Sequence, residues 1–426
     1  MKVFILFLLF GTSLCLENSG SADDNVWPTF LRTIGIMGDL YPDVGAQCRV
    51  DYKHIYSFDC NTEISSGSPA TSVHKLRPHD ISVIGAMGDS LTAGFGSDAC
   101  TLAELVNEYR GRAWPVGGDD TIDDVSTLPN IIKKFNPNLK GYSTGVSGYF
   151  SEEAAFNTAI SGARSEHMTT MTNEMISRMK AHPAVDFKAD WKVVSIFIGA
   201  NDLCQYCFNF HKYSAEQYVE HVREALDIMH REMPRTLINL QGILRVTDVD
   251  HLSGLKCDLI HFAACNCAMF KEGDDHQELV ELIQSYQSKT EELVMSGRYD
   301  TRDDFTVVYQ PFLTNTRFPL LPNLEGDSSY FAPDCFHFSA KGHATMAKEL
   351  WKNMLQPVGQ KSDSWNPPED IKCPTKENPY IYTNMNSGID VEKYPYYAET
   401  QGGATTIQIS LLTIVLSTIV YVTNRI

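Results

Sequence analysis

The chain is short of basic residues. Its 426 residues carry 35 Lys and Arg against 53 Asp and Glu, a formal net charge of −18 at pH 7. A nucleic-acid binder needs a basic footprint for phosphate, and recruitment to anionic lipid needs a polybasic patch. This composition argues against both. The acidity reads as a soluble surface. No asparagine lies in an Asn-x-Ser/Thr acceptor, so N-glycosylation is not expected. Internal repeats are also absent.

The notable apolar runs sit at the two ends. Met1-Lys2-Val3-Phe4-Ile5-Leu6-Phe7-Leu8-Leu9-Phe10-Gly11 places one positive charge before a short apolar stretch, with small residues after it. This pattern predicts a signal peptide over 1–15, removed near Cys15. The second run, 407–423, is followed by almost no tail. It reads either as a short membrane span or as the tail of a lipid-anchor signal, with Ala398, Gly402, Gly403 and Ala404 as small residues for attachment. Either reading places the protein in the secretory pathway and anchors it by its C-terminus at the cell surface, with the body of the chain outside.

Of eleven cysteines, ten remain once Cys15 leaves with the leader. An even count in a secreted chain predicts disulfides, whose pairing sequence does not fix. Cys204 with Cys207, and Cys257 with His261, Cys265 and Cys267, could imitate metal sites. In an oxidising compartment the disulfide reading is preferred, so no metal is assigned.

Residues 16–70 are polar and loop-rich and read as an N-terminal extension. From about 71 to 356 the pattern alternates. Apolar, strand-like runs at 81–87, 193–198, 236–240 and 305–309 are separated by helix-period stretches at 102–109, 165–180, 215–232 and 277–295. Such alternation predicts an α/β domain with a mostly parallel sheet, whose chemistry lies at the carboxyl ends of its strands. Pro- and Asn-rich residues 357–406 read as a linker to the hydrophobic end.

The first strand ends in Gly88-Asp89-Ser90-Leu91. A small, glycine-flanked serine at a strand end is placed as a nucleophile needs to be. Ile36-Met37-Gly38-Asp39-Leu40 echoes the motif but has no serine. A hydroxyl requires a base, and the base an orienting carboxylate. Asp334-Cys335-Phe336-His337 offers both, three apart in a turn before a helix from Ala340. His343 is a competing base without a carboxylate at that spacing. An acyl-transfer site also needs donors for the developing oxyanion. Asn201, at the end of Gly199-Ala200-Asn201-Asp202, and the backbone N–H of Gly162 are candidates. Asn201 could equally cap a helix, and Gly162 could be a plain turn glycine.

The order of these four blocks resembles the GDSL, or SGNH, hydrolases: Gly88-Asp89-Ser90-Leu91, Asn157 with Gly162, Gly199-Ala200-Asn201-Asp202, and Asp334 with His337. The flanks are similar to the membrane-associated phospholipase B branch, notably Ser72-Val73-His74-Lys75-Leu76-Arg77-Pro78-His79-Asp80-Ile81 and Asn201-Asp202-Leu203-Cys204-Gln205-Tyr206-Cys207. The resemblance implies an SGNH-hydrolase-like three-layer sandwich, a parallel sheet flanked by helices. It implies Ser90 as nucleophile, His337 as general base and Asp334 as its orienting partner. The Ser90 and Gly162 backbone N–H groups and the Asn201 side chain would form the oxyanion hole. No cofactor is implied. The expected activity is removal of acyl chains from phospholipids and lysophospholipids through an acyl-enzyme. An esterase for other acyl esters on the same fold is the alternative, and an inactive surface receptor domain the third reading.

Overall fold

The computed structural model describes residues 26–41, 56–65, 67–252, 254–269, 273–322, 325–365 and 369–389. The leader expected over 1–15 and the hydrophobic run 407–423 lie outside the described residues. Among those described, no helix is long and apolar enough to cross a membrane.

Four strands form one parallel sheet in the order β1 (Ile81–Gly88), β2 (Trp191–Phe197), β3 (Thr236–Gln241) and β4 (Phe305–Gln310). All four are buried almost throughout. A parallel sheet with two dry faces needs cover on both, which is why its strands read as continuous apolar runs.

The helices supply that cover. In chain order they are α1 (Val26–Leu40), α2 (Ser90–Ala93), α3 (Leu128–Lys133), α4 (Met168–Ala181), α5 (Ala200–Gln205), α6 (Ala215–Glu232), α7 (Leu255–Ala264), α8 (Asp274–Met295) and α9 (Ala340–Met354). α4, α6 and α8 are the crossovers between successive strands and pack side by side. Right-handed crossovers in an unbroken strand order put all three on one face. α3 and α9 pack together and complete the three layers. α6 shows how sequence makes such a helix. Ser214 caps its first turn by accepting from the Gln217 N–H, and Tyr218, Val222, Ala225, Leu226 and Met229 form its buried stripe.

The outer edge of β1 is not left open. The Ile84 and Ala86 N–H groups donate to the Lys140 and Phe156 carbonyls, and those of Thr158 and Ile160 donate to Ala86 and Gly88. Residues 156–160 therefore run along β1 as an irregular fifth strand and deliver Gly162 to the strand's carboxyl end.

Three stretches differ from the sequence expectation. Residues 102–109 form only a short 3₁₀ turn, Leu102–Val106, because Glu108 leaves to bridge Phe95. The extension over 16–70 contains α1, whose Phe30, Ile34 and Met37 are buried against Phe95, Leu102, Leu105 and Ile260. That 3–4-residue spacing is a helical stripe that the polar average of the extension conceals. Residues 357–365 and 369–389, part of the 357–406 stretch read as linker, lie against the domain. Trp365, Ile371 and Ile381 are buried, the Ile381 N–H donates to the Leu76 carbonyl, and Cys373 is bonded to Cys60. Breaking that link with Cys60→Ser/Cys373→Ser should destabilise the chain by about 2–5 kcal/mol, read as a fall in Tm by calorimetry. An unchanged Tm would mean that the packing alone holds the segment.

Candidate active site

Gly88 of β1 pairs with Phe197 of β2. Both strands end there, so their continuations emerge at one sheet edge: Asp89-Ser90 after β1 and Gly199-Ala200-Asn201 after β2. The approach is close enough to demand glycine at 88. A Cβ there would stand 2.2 Å from the Phe197 carbonyl oxygen and 2.4 Å from Thr92 Oγ1. Asp89 then caps α2, its carboxylate accepting from the Leu91 N–H at 2.9 Å. Ser90 is the first residue of that helix and is buried.

Across the edge, the loop before α9 brings the base. Asp334 Oδ1 accepts from the Phe336 and His337 N–H groups, both at 3.0 Å. Its Oδ2 lies 2.6 Å from His337 Nδ1, and His337 Nε2 lies 2.8 Å from Ser90 Oγ. Burial alone would raise the Asp334 carboxyl; the charge of His337 and the three hydrogen bonds outweigh it and hold the group below its ordinary value. An ionised Asp334 can only accept, so Nδ1 carries the imidazole proton and Nε2 is left to accept from the serine hydroxyl. This loop is pinned to α7. Cys335 is bonded to Cys257, and its carbonyl lies 2.8 Å from His261 Nε2. The cysteines that could imitate metal sites are paired likewise, Cys204 with Cys265 and Cys207 with Cys267.

His343 does not reach the serine. It sits in α9, where its Nδ1 accepts from the Trp114 N–H. Burial, followed by the charge of His337, pushes its imidazole down to about 3, so it stays neutral.

Asn201 and Gly162 share a small pocket with His337, and Asn201 and Ser90 share a second. The Asn201 amide donates one hydrogen to the Ala163 carbonyl at 2.9 Å, which fixes the group and leaves its other hydrogen for the pocket. Gly162 has φ +79°, a left-handed turn that glycine adopts without strain. Asn157 is a brace rather than a pocket wall. Its amide donates to the Thr92 carbonyl, tying the edge strand to α2. Apart from Asp89, Ser90 and Asn201 the second pocket is apolar: Leu91, Leu244, Val246, Val249, Phe318, Phe336 and Phe338 surround the serine side of Asn201.

Sequence reasoning missed three contributors. Arg110, fully buried, donates to the carbonyls of Ser147, Asn157 and Ala159 and holds the strand that leads to Gly162. A buried arginine among loop residues carries no spacing signal. Asp202 accepts from the Ser165 N–H at 2.9 Å and from its hydroxyl at 2.5 Å, locking α5 to the Gly162 turn. Its neighbour Asn201 drew the attention. The third is α1, whose Trp27 ring lies where a Gly162 Cβ would project, at 2.8 Å.

A parallel α/β sandwich with a Ser–His–Asp relay at its strand ends is the architecture of a serine hydrolase. The family model described as "GDSL-like Lipase/Acylhydrolase" matches residues 84–350, and the chain belongs to that family. It is similar to the protein named "Phospholipase B1, membrane-associated" of Mus musculus, 43% identical over 80% of this chain and 24% of the relative. It is also similar to the protein of that name in Homo sapiens, 42% identical over 77% of this chain and 23% of the relative. The chain thus spans about a quarter of the length of the curated relatives it matches. Among solved structures, an extracellular lipase from Streptomyces rimosus is 13% identical with a TM-score of 0.31, covering 62% of this chain and 94% of that one.

Asp89 supplies a pH test of this geometry. Burial pushes its carboxyl up to about 7. A carboxyl raised by folding contributes most favourably below its unfolded value of about 3.9, and that contribution is lost as pH rises through 7. Asp89→Asn retains the oxygen that accepts from Leu91 and removes the ionisation. Its stability relative to wild type should therefore improve by a few kcal/mol between pH 4 and 7, measured by urea unfolding across that range. A difference that does not vary with pH would contradict this role for Asp89.

Proposed function

We propose that this chain is a phospholipase B-like serine hydrolase that removes acyl chains from phospholipids and lysophospholipids. The observation that carries the reading is the relay Asp334–His337–Ser90, closed at 2.6 and 2.8 Å beside an apolar pocket. Ser90 Oγ attacks the ester carbonyl as its proton passes to His337 Nε2, and Asp334 stabilises the imidazolium. The carbonyl oxygen takes up negative charge and receives hydrogen bonds from the Ser90 and Gly162 N–H groups and the Asn201 amide. Collapse expels the alcohol portion of the lipid, which takes the proton from His337. Water then attacks the acyl-Ser90 ester, giving its proton to His337, and the fatty acid leaves as Ser90 regains its hydrogen. The lining beside Ser90 is mostly apolar, the kind of surface against which an aliphatic acyl chain packs. The names of the relatives support a phospholipid as the ester.

The whole sequence supports a placement at the membrane. The N-terminal leader pattern would carry the chain into the secretory pathway, which agrees with its disulfides. The 407–423 run would hold it at the cell surface with the hydrolase domain, 71–356, outside.

Ser90→Ala should lower the rate of fatty-acid release from phosphatidylcholine and lysophosphatidylcholine by about three to six orders of magnitude, and His337→Ala comparably. Near wild-type release by Ser90→Ala would refute the assignment. Wild-type turnover of acetyl esters with none on the lipids would shift the substrate to small acyl esters.

A further inference from the structure

The reacting atoms lie beneath α1. Ser90 is 4% exposed and His337 1%. The Trp27 ring is centred 6.3 Å from the His337 ring and the Phe30 ring 5.7 Å from it. Trp27 and Phe30 line the pocket formed by Gly162, Asn201 and His337, and the Trp27 ring occupies the space that a Cβ on Gly162 would take. Ser90 itself lines the second pocket, which these rings do not line. The space they fill is the one over Gly162, Asn201 and His337, where the ester oxygen and the leaving group would have to sit, so a lipid hydrolase of this shape must displace them.

The surface around α1 indicates what could do so. α1 packs against α7. Leu40 at the end of α1, and Leu255 and Phe262 on α7, are about half exposed. They are separate apolar positions on the outer surface of the α1–α7 pair, on a chain whose net charge is −18. Exposed apolar side chains on an acidic protein match a lipid surface without net charge and are mismatched to an anionic one. In water, lifting α1 would expose Trp27, Phe30 and Ile34, an unfavourable change for large apolar groups. At a bilayer the same side chains exchange a protein pocket for lipid and stay out of water, so the open state is favoured only there.

We propose that α1 and α7 form a lid that docks on a zwitterionic phospholipid surface, and that docking withdraws Trp27 and Phe30 from the pocket over Gly162 and Asn201. This rests on the hydrolase reading above, and the test separates the two. The full mature chain is treated with a fluorophosphonate, which labels an activated serine. Labelling is timed in buffer, with vesicles of non-hydrolysable diether phosphatidylcholine, and with vesicles containing anionic diether phosphatidylserine. If the lid is open about a tenth of the time in water, the phosphatidylcholine vesicles raise the labelling rate about tenfold. Trp27→Ala/Phe30→Ala should label fast in buffer and respond little to vesicles. Because that variant could fail to fold, the wild type is also read by Trp fluorescence. Brominated phosphatidylcholine should quench it, and Trp27→Phe should abolish that quenching. Labelling that vesicles leave unchanged, with no quenching, would overturn the lid while leaving the hydrolase reading intact. Acceleration only by the anionic vesicles would overturn the zwitterionic partner. No labelling of Ser90 in any arm, the double variant included, would overturn both.

Discussion

The hydrogen bond between Ser90 and His337, 2.8 Å long, joins residues 247 positions apart, and most of the architecture serves to make it possible. Its two ends belong to independent structures. Ser90 is held by the end of β1 and by Asp89 at the start of α2. His337 is held by Asp334, by the start of α9 and by the disulfide that ties Cys335 to α7. Neither structure alone fixes the distance. The parallel sheet does, because it brings the ends of β1 and β2 to one edge over which the loop before α9 folds. The relay is buried, which strengthens each of its bonds and makes an unpaired member costly. Asp334 accordingly uses both oxygens, two bonds to backbone N–H groups and one to the imidazole.

The same edge explains the neighbouring polar network. The irregular strand at 156–160 delivers Gly162, Arg110 holds that strand from behind, and Asp202 clamps Ser165 so that the turn keeps its place against α5. Asn201 donates once to this turn and keeps its second hydrogen for the pocket. Donors fixed in this way cost little reorganisation when charge develops on a carbonyl oxygen.

Much of this was legible in the chain itself. The four strands are apolar runs of the lengths that a doubly covered sheet requires, and α6 spans the 215–232 stretch that its periodicity predicts. Ser90, Asn201, Asp334 and His337 could be picked out because each sits where a strand or turn ends. The parts that could not be read depend on tertiary contact. Arg110 finds its acceptors on backbone carbonyls that become neighbours only on folding. Residues 357–365 and 369–389 look like linker by composition, yet three apolar anchors and one disulfide hold them down. The stripe of α1 is visible in sequence, but not the place where it packs. That place is the pocket of Gly162, Asn201 and His337, and it makes a polar-looking extension part of the wall of the candidate site.

The proposed chemistry depends on Ser90 being the activated nucleophile. The most direct measurement is peptide mapping by mass spectrometry after fluorophosphonate treatment of the mature protein in the presence of diether phosphatidylcholine vesicles. A single adduct on the peptide carrying Gly88-Asp89-Ser90-Leu91, absent from Ser90→Ala, is the predicted result. An adduct on a different serine, or none on a protein that still hydrolyses lipid, would contradict it.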